Sequence, residues 1–87
     1  MLAVNFDAII WDSADDALGN VQHIEAHGLS IEDVECVLGD PSSEGASRSS
    51  GLPAAWGYTP GGDYIIVIYE QVDADTIRVV TAYEVSE

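Results

Sequence analysis

Lysine is missing altogether, and the whole positive charge of the chain rests on Arg48 and Arg78, set against 16 Asp and Glu. A surface that grips a phosphate backbone needs several Lys or Arg side chains, since those contacts supply most of the affinity. A net charge of −14 therefore excludes the ordinary design of a nucleic-acid binder. Cysteine is nearly absent too: Cys36 is the single one, so no internal disulfide forms and a reducing cytoplasm suits the chain. No apolar run approaches the ~18 residues of a membrane span, so no membrane partner is expected. The first residues lack the basic stretch of a secretory signal. What the sequence does not lack is hydrophobicity, at 47%, and that excludes disorder despite the charge. One domain of 87 residues is expected, burying roughly 60–65% of its unfolded surface.

The acidity has three readings. It is a plain solvated surface, or an adaptation to a salty cytosol, or a face that addresses a basic protein partner.

Hydrophobic spacing sets out the elements. Residues 2–11 alternate loosely and predict a short strand. Asp12 or Ser13 then caps a helix, with Ala14, Ala17, Leu18, Val21 and Ile24 as its apolar stripe and Gly28 in the left-handed position after it. Ser30 caps a second helix, with Glu32 and Asp33 in its first turn and Ile31, Val34, Val37 and Leu38 on its buried side; Gly39 and Pro41 stop it. Residues 40–51 are small and polar, a loop or an irregular edge strand. From Leu52 the period becomes 2. One strand runs to Thr59, then a Pro-Gly-Gly turn; Tyr64 to Glu70 is apolar on both faces, as a covered central strand is. The last strand, Thr76 to Val85, puts Ile77, Val79, Thr81, Tyr83 and Val85 on one face. The order predicts an α+β domain, two N-terminal helices packed on a three- to four-stranded antiparallel sheet. An open edge on the last strand would allow a homodimer by strand pairing.

His23 and His27 stand four apart on the first helix, side by side. That is the spacing of a zinc pair, but a zinc site needs a third ligand, and no second cluster announces one. No metal or cofactor is expected. Both histidines fall away from the apolar stripe, with Asn20 beside them, and suit a structural, partner-facing or acid/base role. Arg78 could stabilise a phosphorane-like transition state; the plainer reading is an ion pair with an acid such as Glu70. Arg48 lies in the Ser-rich loop. Cys36 reads as a small buried hydrophobe. Trp11, Trp56 and Tyr64 read as core or interface aromatics, since base stacking wants a basic groove beside it.

The order of these short motifs carries a resemblance. Trp11-Asp12, then Asn20-Val21-Gln22-His23-Ile24, His27-Gly28-Leu29-Ser30, Glu32 to Leu38, and Asp40-Pro41 resemble the N-terminal half of the BrnT family of type II toxins. Trp56-Gly57-Tyr58-Thr59, the strand Tyr64–Tyr69 and Ile77 to Ala82 resemble its second half, so the likeness spans residues 9–85. It implies a RelE-like ribonuclease fold, a cognate antitoxin as partner, and metal-independent cleavage of RNA. Arg78 matches the arginine of the family's I-R-V strand, which implies a charge-stabilising role, with His23 or Tyr83 as acid/base groups. Tyr83 stands where the family has a second arginine, and the chain ends at Glu87 without the family's basic C-terminal helix. These departures fall on the phosphate-binding positions and imply that the ribonuclease activity is weak or lost.

Overall fold

The switch to alternating side chains after residue 51 yields three long strands, and the rest of the architecture is hung on them. The computed structural model describes residues 6–48 and 50–86. In chain order the elements are β1 (Ala8–Ile10), α1 (Asn20–Ala26), α2 (Ile31–Gly39), β2 (Ser43–Ala46), β3 (Pro53–Tyr58), β4 (Tyr64–Gln71) and β5 (Thr76–Glu84). The fold is α+β. Its sheet differs from the expected one: among the described residues it has 5 strands in the order β1-β5-β4-β3-β2, and β1 runs parallel to β5. The Ser/Gly-rich segment supplies β2 because pairing uses backbone groups and asks little of the side chains. Gly45 in β2 also leaves room for an indole: a Cβ there would lie 3.3 Å from Cζ3 of Trp56. Of the expected first strand, residues 2–5 lie outside the described residues.

Both helices send their apolar side chains to one face of the sheet. Ile24 of α1 and Val34, Val37 and Leu38 of α2 pack with Ala55, Ile65, Val67, Tyr69, Ile77, Val79 and Ala82. Gly57 lets α2 come close, since a Cβ on it would stand 3.2 Å from Val37 Cγ1. Ser30 caps α2 as expected, and does so in a capping box with Asp33, each side chain bonding the other's backbone N–H. Gly28 takes its left-handed φ of 81°. Gly39 closes α2 from within rather than stopping it, with Asp40 as the cap.

The first helix is shorter than its spacing suggests. Residues 13–18 form turns, and α1 begins at Asn20. Asp and Ser side chains here bond the local backbone instead of yielding to a helix: Asp15 N–H donates to Ser13 Oγ and Leu18 N–H to Asp16 Oδ1. Leu18, expected in the stripe, is 95% exposed. Cys36 is exposed rather than buried, one position off the apolar face of α2.

A bulge in β5 corrects the assignment of its faces. Val79 pairs with Tyr69 and Thr81 with Ile68, so Val80 is an extra residue. Beyond it the parity reverses. Ile77 and Val79 stay on the helix face with Ala82, while Val80, Tyr83 and Val85 join the opposite face with Ala54, Ile66, Ile68, Leu52 and Trp56.

Burial under the helices raises the Tyr69 hydroxyl above its ordinary pKa of 10.0, and the negative charge of Glu44 pushes the same way. The folded state thus favours the neutral phenol. Its contribution to stability is intact below the unfolded value near 10.0 and is lost as pH rises through the folded one. Tyr69→Phe should flatten the loss of stability between about pH 9 and about pH 11 in urea titrations. Equal alkaline slopes for both proteins would refute this.

Candidate functional site

The sheet face opposite the helices holds the site, and the strand register says which side chains reach it. Trp56 pairs with Ile66, and Ile66 with Tyr83, so three neighbouring strands present these residues in one row. The chain leaving β2 curls over the end of this row, fixed by Ser47 N–H to Leu52 O at 2.7 Å and Gly51 N–H to Ser47 O at 2.8 Å. The result is a hollow of about 530 Å³ lined by Ala46, Ser47, Arg48, Trp56, Ile66 and Tyr83. Arg48, weighed as a loop residue, therefore stands in the same cavity as Tyr83. Among the described residues Arg48 makes no ion pair.

Behind Tyr83 comes a file of rings. The His27 and Tyr83 centroids are 5.8 Å apart with planes at 47°, and His23 follows His27 at 5.6 Å and 48°. The reason is the placement of α1. Beyond the three residues paired with β1, the edge of β5 meets α1, whose exposed histidines come up beside Tyr83. Four of the five residues singled out in the sequence thus form one continuous set: Arg48, Tyr83, His27 and His23.

Arg78 is the fifth, and it is engaged. Its Nη2 donates to Asp12 Oδ2 at 2.7 Å, so its ion pair is with Asp12 rather than with Glu70, its partner across the sheet. The same Asp12 oxygen accepts from Asn20 N–H at 2.9 Å, at the first turn of α1. Asn20 returns the contact: its Oδ1 accepts from Asp12 N–H at 2.8 Å, and its Nδ2 donates to Ile10 O at 3.0 Å and Val79 O at 2.9 Å. Asn20 is 2% exposed, not beside the histidines on an outer face. Gly19 is required beside this knot, because a Cβ on it would fall 2.7 Å from Asp12 Cβ. The Trp-Asp and Asn signatures thus join β1, α1 and β5, with Trp11 adding an Nε1–H bond to Glu35 of α2 at 3.2 Å.

Charge is distributed unevenly over the two faces. Of the acids in strands, Glu44 and Glu84 pair with Ala55 and Ile65 of the helix face. Glu70 alone alternates onto the cavity face, opposite Arg78. Among the described residues no carboxylate lines the hollow, whereas both arginines belong to that side.

Trp56 and Ile66 were not among the residues singled out as functional. Their alternation with Ala54 and Ile68 was a usable signal, but nothing in it said that Arg48 would fold back over them. Among the described residues no group of His, Cys, Asp or Glu could hold a metal, and no helix is long and apolar enough to cross a membrane. Set against family models, curated proteins and solved structures, the chain matches none.

Proposed function

We propose that the chain is a BrnT-like toxin-family protein of a type II toxin–antitoxin pair, a metal-independent endoribonuclease of low activity whose RNA-facing surface is the cavity side of the sheet. One observation carries the reading: Arg48 and Tyr83 line one hollow, and His27 and His23 follow Tyr83 at ring distance beside the edge of β5. Cleavage without a metal needs a base for the ribose 2′-hydroxyl, an acid for the leaving 5′-oxygen, and a cation for the charge gathering on phosphorus. An imidazole of the file takes the first proton, Tyr83 gives the second, and Arg48 supplies the cation. Arg78 steadies the strand from its pair with Asp12. With so few cations the affinity for RNA is low, which is why the activity is low.

The test is cleavage of a single-stranded oligoribonucleotide by purified protein without divalent ions. Tyr83→Phe and His27→Gln should each lower the rate about 10²-fold, and Arg48→Gln about 10-fold or more. A Tyr83→Phe protein as active as the wild type, or a wild type without activity, would remove the nuclease reading.

A second reading draws on the same asymmetry. The carboxylates of the helices and loops form an acidic surface suited to a basic protein, the antitoxin included, and the domain would then act as a non-catalytic interaction module. Such a partner should release between ~0.1 and 0.5 M salt in a pull-down. Binding indifferent to salt would argue against it.

A further inference from the structure

We infer that the hollow lined by the end of β2, Ser47, Arg48 and the sheet face binds a small planar monoanion, an aryl or heteroaryl carboxylate. Its volume of about 530 Å³ suits one such molecule, since small-ligand sites span roughly 300–1,000 Å³. Its walls supply the two things this class of ligand needs. Trp56, Ile66 and Tyr83 offer flat apolar surface for a ring, and Arg48 offers one guanidinium whose fork matches one carboxylate.

The rest of the molecule sets the charge of the ligand. Arg78, the other cation, is held by Asp12 at 2.7 Å, so the hollow has a single positive group to give. The net charge of −14 opposes each further negative charge brought near, and it opposes a polyphosphate far more than a monoanion. A neutral ring would gain nothing from the guanidinium. A cation would find no carboxylate among the described lining residues. The indole lies against Gly45, where a Cβ would stand 3.3 Å from its Cζ3 and crowd it.

The site shares its walls with the RNA-facing surface proposed above but does not depend on that reading. The probe is 2-naphthoate, titrated into the full chain and followed by amide and indole N–H shifts in NMR. Saturation with a Kd of about 1 mM or tighter is expected, with the largest shifts at Trp56, Ile66, Tyr83 and the 46–48 segment. The neutral 2-naphthamide should bind about 10-fold more weakly, and Arg48→Gln should bring naphthoate down to the level of the amide. Arg48 is exposed, so that variant keeps its fold, and an unchanged amide spectrum outside the loop will show it. Equal affinity for acid and amide, an unaltered Kd in Arg48→Gln, or shifts that map elsewhere would each overturn the proposal. Naphthoate binding by a chain that cuts no RNA upholds this site while removing the nuclease. Cleavage without naphthoate binding does the reverse.

Discussion

Asn20→Ala is expected to lower the unfolding free energy by about 3–5 kcal/mol. The side chain serves Ile10 O, Val79 O and Asp12 N–H, and it is 2% exposed. Truncation leaves these three backbone groups without it, at roughly 1–3 kcal/mol for each that stays dry. Partial access of water near β1 keeps the total towards the lower end of that sum. In a domain of this size about 3 kcal/mol moves the thermal midpoint by some 12 °C or more. Asn20→Asp should be at least as damaging although it is nearly isosteric. A carboxylate cannot donate to the two carbonyls, and it would sit against Asp12. Thermal and urea unfolding of the three proteins would decide it. A loss under about 1 kcal/mol for Asn20→Ala would mean that water replaces the amide at little cost.

Leu38→Ala is the second large effect, with about 2–5 kcal/mol lost. Leu38 is fully buried on α2, and it shares with Val34 and Val37 the work of holding that helix to β3 and β4. The neighbouring strand residues cannot close the gap, because Gly57 already brings the helix within contact distance of the sheet. Leu18→Ala is the matched control. Its side chain is 95% exposed, so the change should stay within about 0.5 kcal/mol. Equal losses for the two leucines in chemical denaturation would contradict this placement of the core.

That pair of leucines also marks how far the sequence could be read. The spacing of Ile31, Val34, Val37 and Leu38 behind Ser30 left little choice, because cap, charge and stripe agree. The earlier stripe failed at Ala14, Ala17 and Leu18. Spacing alone fits them to a helix, but the Asp and Ser side chains among them bond their own backbone, and Gly19 is held against Asp12. The meander was legible from its alternation and its Pro-Gly-Gly turn. The mixed sheet was not: β1 and β5 meet across almost the whole chain, and β2 carries no apolar pattern. For the site, His23, His27, Arg48 and Tyr83 could be singled out one by one. Their assembly depended on the extra residue Val80, which moves Tyr83 from the helix face to the cavity face, and no side-chain pattern announces a bulge.

The strand lengths bear on how the protein behaves when crowded. Among the described residues the sheet finishes in β1 with 3 residues and β2 with 4, while β4 and β5 between them run to 8 and 9. A rim so brief gives an incoming chain few backbone groups to register against, and Glu44 adds a charge to one side of it. Lateral growth on β1 or β2 therefore finds a template of only 3 or 4 residues among the described residues, so these two strands should not seed fibrils in concentrated solution.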